Sequence, residues 1–257
     1  MWRVVCAWLG VAATLAAGDG LRVRPGFVVE RIATALDAPV ALEWDAHGRL
    51  WGAEAGGDLK MLPGSGAVVT FATGLGKCGG IFPCRTGMIV ATEDDVLFLE
   101  DKDGDGRADA QKVLLAGAAN GFAWGLDGWL YGTNRNGHDF RFHPDTGERE
   151  TLDGISRHGR QRDSWGNWFG NGDGKWLWHY SFDTRYQRPG IDVSTQTTLA
   201  NYGDARNVYP TPAPVPLLEP AGFAPYADDL FGPDFATSVF ICEPARHLVH
   251  REVLAQD

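Results

Sequence analysis

The densest chemistry in this sequence is an acidic loop, Asp101-Lys-Asp103-Gly-Asp105-Gly-Arg107-Ala-Asp109. Acids at alternate positions 1, 3 and 5 point carboxylates into one small space. Gly106 permits the tight turn, and the Arg107 carbonyl offers another oxygen. Asp109 falls at position 9 of the same loop. Crowded carboxylates repel one another without a cation, so the chemistry is calcium binding. The departure from a helical calcium loop is Lys112 where a bidentate Glu would stand at position 12. The flanks, Val96–Glu100 and Lys112–Leu115, read as strands. The expected site is therefore a structural one on a β-hairpin, of weak, extracellular-type affinity; the alternative is a solvated acidic turn.

A second cluster is Arg157, His158, Arg160, Arg162 and Asp163, beside Trp165 and Trp168. It reads either as the rim of a site for an anion or a sugar, or as a solvated loop with local ion pairs. Trp165, Trp168, Trp176 and Trp178 suit stacking on sugar rings, or packing between sheets. His179, near a strand end, faces an open axis or sits satisfied in a core. His247 and His250 follow Cys242 and Glu243, but residues three apart on a strand face opposite ways, which argues against a shared zinc. Gly74-Leu-Gly-Lys-Cys-Gly79 spells a dinucleotide fingerprint, yet Pro83 and Gly87 intervene where its helix would begin, so it is rejected.

These residues need a scaffold. The chain has 257 residues, 44% hydrophobic and 22% charged, with a net charge of −10. A packed core is feasible, and an acidic chain repels phosphate backbones, which argues against nucleic acid as a partner. Met-Trp-Arg precedes an apolar run from Val4 to Ala17, ended by Ala16-Ala17-Gly18. This reads as a secretory signal peptide over residues 1–18 and is shorter than the roughly 20 residues that cross a bilayer. Export to the periplasm or beyond is expected, with no membrane span after signal removal. Removing Cys6 with the signal leaves Cys78, Cys84 and Cys242. A bend through Gly79, Gly80 and Pro83 suggests a Cys78–Cys84 disulfide, with Cys242 free and buried.

The scaffold itself repeats. Ala41-Leu-Glu-Trp44-Asp-Ala-His-Gly48-Arg-Leu50-Trp51-Gly52 matches Gly121-Phe-Ala-Trp124-Gly-Leu-Asp-Gly128-Trp-Leu130-Tyr131-Gly132. Each copy reads as strand, tight turn, strand. Similar hairpins lie at Thr86–Glu100, Gly166–Trp178 and Ala236–Cys242. The spacing of roughly 40 residues is that of a propeller blade of four strands. Residues 19–257 are thus read as an all-β, six-bladed β-propeller domain, incomplete or truncated, with about five blades present. The Pro-rich stretch Pro210–Pro225 reads as a surface connection.

Four longer phrases carry a resemblance: Phe98–Asp109, Asn120–Gly132, Gly137–Glu148, and His158-Gly-Arg-Gln-Arg-Asp-Ser-Trp-Gly-Asn-Trp-Phe-Gly-Asn171. Asp228–Gly232 and Val239–Pro244 extend it. Together they resemble the bacterial "membrane-bound dehydrogenase" family, whose propeller is similar to the soluble quinoprotein glucose/sorbosone dehydrogenases. The resemblance implies oxidation of a sugar or alcohol by pyrroloquinoline quinone (PQQ), with a His as general base and Arg residues on the cofactor carboxylates. It further implies a cytochrome c-type electron acceptor. Arg162 and Arg160 are the candidate cofactor contacts. The stretch Leu115–Asn120, where the family carries its His, has none, which leaves His158 and His179 as candidate bases. Asp163 would repel a carboxylated cofactor. The alternative function is a non-catalytic, calcium-stabilised propeller that binds carbohydrate or a partner domain.

Overall fold

The computed structural model describes residues 2–6, 25–31, 35–64, 67–134, 137–172, 175–191, 193–201, 220–226 and 228–254. Most of the expected signal segment, and Pro210 to Pro216 of the Pro-rich stretch, lie outside them. Strand β1 (Trp2–Cys6) pairs antiparallel with β2 (Phe27–Arg31). The remaining strands form five antiparallel meanders. The first is β3 (Pro39–Trp44), β4 (Leu50–Glu54), β5 (Leu59–Leu62) and β6 (Val69–Ala72). The second is β7 (Gly80–Cys84), β8 (Gly87–Ala91), β9 (Asp95–Glu100) and β10 (Ala110–Ala116). The third is β11 (Ala119–Trp124), β12 (Leu130–Asn134), β13 (His138–Phe142) and β14 (Arg149–Leu152). The fourth is β15 (Gln161–Arg162), β16 (Trp168–Gly172), β17 (Lys175–Tyr180) and β18 (Gln196–Asn201). The fifth has three strands, β19 (Phe223–Tyr226), β20 (Ser238–Glu243) and β21 (Leu248–Val253).

The first strands of successive meanders lie side by side, β3 by β7, β7 by β11, β11 by β15 and β15 by β19. These are the blades of a propeller around an axis lined by first strands. Five blades are present among the described residues, where the sequence reading expects six with about five in this chain. The described residues contain no helix long and apolar enough to cross a membrane.

The repeated hairpin is the first turn of a blade, and its residue types have a physical reason. Asp45 caps its turn by accepting the His47 and Arg49 amides at 2.9 Å each, and its other oxygen accepts Trp51 Nε1–H at 2.9 Å. In the third blade the Tyr131 hydroxyl donates to Asp127 in the same way, at 2.9 Å. Leu50 and Leu130, at the start of each second strand, are buried. The aromatic is thereby tied to the turn and the leucine to the core.

Blade faces pack through apolar clusters. Trp51, Leu59 and Phe71 of blade one meet Ile81, Met88 and Leu99 of blade two. Ile89 and Val96 meet Phe122, Leu130 and Phe142 across the next interface. Phe169, Trp176 and Leu177 meet Phe223, Val239 and Ile241 across the last. Each such side chain contributes about 1.5–3 kcal/mol on burial. The interface between blades three and four is different, since it holds a buried ion pair described below.

A meander puts alternate turns at opposite ends. Turns after first and third strands share the lower end: 85–86, 101–109, 125–129, 143–148 and 163–167. The connections between blades, 117–118 and 153–160 among them, share the upper end.

Cys78 and Cys84 are both free thiols, which corrects the expected disulfide. Cys84 ends strand β7 and Cys78 precedes its start, and the strand's extended backbone alone spans about 13 Å, beyond the reach of a disulfide at about 7 Å between Cα atoms. Cys242 is free as expected, but exposed rather than buried, because its strand position faces outward.

Candidate functional site

The acidic loop joins β9 to β10. Asp101 accepts the Gly104 amide at 2.7 Å with one carboxylate oxygen and the Gly106 amide at 2.9 Å with the other. Asp103 accepts the Asp105 amide at 3.1 Å, and Asp105 the Arg107 amide at 2.8 Å. Asp109 reaches back across the loop to the Lys102 amide at 2.9 Å. Gly104 and Gly106 have φ of 81° and 87°, the left-handed backbone that lets this chain fold on itself. Asp101, Asp103 and Asp109 each offer an oxygen, all within 4.8 Å of one another. Asp105 stands outside that group. Three hard oxygens at this separation fit a calcium ion. The loop is fastened to the neighbouring blade, because the Ala108 amide donates to the Phe71 carbonyl of β6 at 2.8 Å.

The basic cluster does not form one rim. It is stretched along the height of blade four, because β15 is only two residues long and runs between the two ends. Arg157 and His158 lie in the upper connection, and Arg162 with Asp163 at the lower turn. Arg160 lies between them, 4% exposed. Its Nε donates to Asp139 at 2.7 Å, its guanidinium also donates to the Asp153 carbonyl, and it stacks at 3.7 Å over Tyr180. Asp139, fully buried, further accepts the Ser156 amide at 2.9 Å and the Tyr180 hydroxyl at 2.5 Å. Burial pushes the Tyr180 phenol far above its ordinary range, with Arg160 opposing and Asp139 adding to the rise. Arg162 donates from Nε to the Trp124 carbonyl at 2.7 Å and from Nη1 to the Asp163 carbonyl at 3.1 Å.

His179 is on β17 near the lower end, packed on Phe169 at 5.5 Å. Burial holds its imidazole below the ordinary value of 6.5, with Asp163 pulling the other way. His158 and His179 thus sit at opposite ends of the blade. The motif Asn120-Gly121 has a clear structural use. The Gly121 amide donates to the Gly79 carbonyl at 3.1 Å, and Asn120 Nδ2 donates to the Arg157 carbonyl at 3.3 Å. A Cβ on Gly121 would overlap the His158 carbonyl oxygen and lie 2.9 Å from the Gly159 Cα. Blades two, three and four meet here backbone to backbone.

Of the tryptophans, Trp176 is buried in the cluster between blades four and five, Trp178 is buried against Tyr180 of its own blade, Trp168 stacks on Tyr131 at 4.2 Å, and Trp165 is 86% exposed. His250 bonds Glu243 directly, both side chains buried, while Cys242 faces outward. Sequence reasoning missed Asp139 and Tyr180, whose partner Arg160 is up to 21 positions away. It also missed Arg141, clamped between Asp127 and Glu150 and stacked at 4.5 Å over Trp129. No local pattern marks any of these, since the partners come from other strands, turns and connections.

The fold has solved relatives. An auxiliary nutrient binding protein from Bacteroides thetaiotaomicron VPI-5482 is 17% identical with a TM-score of 0.61, over 85% of this chain and 55% of that one. The chain therefore spans about half the length of that protein. A glucose dehydrogenase-type oxidoreductase from Thermus thermophilus is 19% identical with a TM-score of 0.60, over 89% of this chain and 83% of that one. The PQQ-bound aldose sugar dehydrogenase from Streptomyces coelicolor is 14% identical with a TM-score of 0.55, over 88% and 80%. At these identities the likeness is one of fold. No curated protein matches the chain. The family model described as "Domain of unknown function (DUF7133)" matches residues 66–257, three quarters of the sequence, and the chain belongs to that family.

Proposed function

We propose that this chain is an exported, calcium-stabilised β-propeller module that binds carbohydrate without oxidising it by itself. The observation that carries the reading is the commitment of Arg160. A guanidinium that is buried, paired to Asp139 and stacked on Tyr180 is part of the inter-blade core and offers nothing to a cofactor carboxylate. Arg162 commits two donors to carbonyls, and the candidate bases His158 and His179 lie at opposite ends of blade four. These residues do not fit PQQ as a set, so no catalytic step is derived through it. The acidic loop does fit calcium. Asp101, Asp103 and Asp109 would hold the ion, with the Arg107 carbonyl as a further oxygen. The ion would neutralise the clustered charge and stiffen the hairpin that grips blade one.

A second reading is supported by the sequence resemblance and by the fold shared with two sugar dehydrogenases: PQQ-dependent oxidation of a sugar or alcohol, with electrons passing to a cytochrome c-type acceptor. Purified protein given calcium and PQQ, then tested for dye reduction with a panel of sugars, separates the two. The binding reading expects calorimetric sugar binding and no dye reduction. Turnover of any sugar would overturn it.

A further inference from the structure

The lower end carries a trough between blades two and three. Two hollows of about 450 and 460 Å³ share Cys84, Arg85, Pro144 and Asp145 as walls, so they form one groove. Each is of a size that takes a small ligand. The groove has three chemically distinct parts. Its inner part is aromatic, formed by Phe82 and Trp124, whose rings lie 6.0 Å apart, with His143 opposite. Trp124 is 39% exposed, so part of an indole face is open at the mouth. The middle is the Arg85–Asp145 ion pair, which joins turns of two blades. The outer part is lined by Lys102, Gln111, Lys112 and Glu100. There Glu100 accepts the Thr86 hydroxyl at 3.0 Å. The groove walls thus hold three cations, Arg85, Lys102 and Lys112, against two acids, in a protein whose net charge is −10.

We infer that this groove binds an acidic oligosaccharide, one sugar ring stacked on Trp124 and Phe82 and a carboxylate at the Lys102 and Lys112 end. The inference rests on the carbohydrate-binding reading above and gives it a place. An open indole face accepts the apolar C–H face of a pyranose ring. The exposed guanidinium and carboxylate of Arg85 and Asp145 can each bond two neighbouring ring hydroxyls, donor and acceptor side by side. Lys102 and Lys112 supply the cations that would meet the carboxylate, so salt should weaken binding.

Cys84 makes the site readable in the unaltered protein, because it lines both hollows and is half-buried. Cys242 is exposed on another blade and serves as control. Trigalacturonate and cellotriose are titrated calorimetrically at low and high salt. Alkylation of both thiols by iodoacetamide is then followed by peptide mass spectrometry. The expected result is trigalacturonate binding at least tenfold tighter than cellotriose at low salt. Bound trigalacturonate slows alkylation of Cys84 and leaves Cys242 unchanged. Trp124→Ala and, separately, Lys112→Gln each weaken binding about tenfold with unchanged far-ultraviolet circular dichroism. Saccharide binding that leaves Cys84 alkylation unchanged overturns the site and spares the carbohydrate reading. Cellotriose binding as tightly as trigalacturonate overturns the acidic ligand, and a Cys84 that never reacts in the free protein overturns an open groove. Binding of neither sugar sinks both the groove and the carbohydrate reading.

Discussion

At the scale of single residues, the acidic loop and the buried arginine make opposite demands. Asp103 and Asp109 are exposed, so their mutual repulsion is tolerable in water and a cation adds stability only when present. Calcium at about 100 times its dissociation constant should stabilise the fold by about 2.7 kcal/mol. The expected outcome is a melting temperature that rises with calcium and falls with chelator, and a response that disappears in Asp101→Asn. A melt indifferent to calcium in the unaltered protein would return the loop to a solvated turn. Arg160 and Asp139 cannot be separated so readily. Arg160→Gln leaves a buried carboxylate without its counter-charge and should cost roughly 3–5 kcal/mol. Arg162→Gln, whose side chain bonds only carbonyls near the surface, should cost about 1 kcal/mol. Urea unfolding of the two variants tests the contrast, and equal losses would refute the division of roles.

His179 adds a pH dependence of definite sign. Its folded pKa is below 6.5, so the unfolded chain takes up the proton first as pH falls. Its stabilising contribution is complete above 6.5 and is lost as pH drops through the folded value. Thermal melts between about pH 7 and pH 5 should decline less steeply in His179→Gln than in the unaltered protein. A steeper decline in the variant would reverse the assignment.

At the scale of elements, the contacts between blades set what the sequence tolerates. Gly121 is at φ 49° and leaves no room for a side chain between its backbone and the His158 carbonyl. Gly121→Ala combines overpacking, about 1–3 kcal/mol, with a backbone strain of about 1 kcal/mol. It should therefore lower stability more than Arg162→Gln does, by the same urea measurement. A neutral Gly121→Ala would mean that blades three and four can shift apart freely.

At the scale of the whole molecule, the blades share apolar faces in sequence, and the first strand β3 presents Val40, Leu42 and Trp44 to solvent at 52%, 43% and 51%. Phe27 of β2 lies against Phe231 and Phe235 of blade five, at 5.3 and 5.4 Å. Stability should therefore be distributed by interface. Leu130→Ala, in the cluster between blades two and three, should cost about 2–5 kcal/mol, and Leu42→Ser about 0.5 kcal/mol. Equal losses for the two would place β3 in a core that the exposed stripe does not suggest.

The order of amino acids alone dictates the periodic part of this protein. Trp44 and Trp124, Gly48 and Gly128, Leu50 and Leu130 recur because each blade solves the same local problem, a tight turn followed by a buried second strand. The spacing of the acids in the loop is local too, so three of its four carboxylates were legible as neighbours; Asp105 was not set apart until the loop had a shape. Packing in three dimensions settles whatever depends on strands from different blades. Arg157, Arg160 and Arg162 are close in sequence, yet β15 carries them through a blade, and Asp139 and Tyr180 arrive from other strands to take Arg160 inward. Cys78 and Cys84 look like a pair until the chain between them is extended. The groove at Trp124, Arg85 and Lys112 exists only where two blades face each other. Short-range patterns are written by backbone geometry, whereas a site made between sheets depends on a packing that no window of sequence contains.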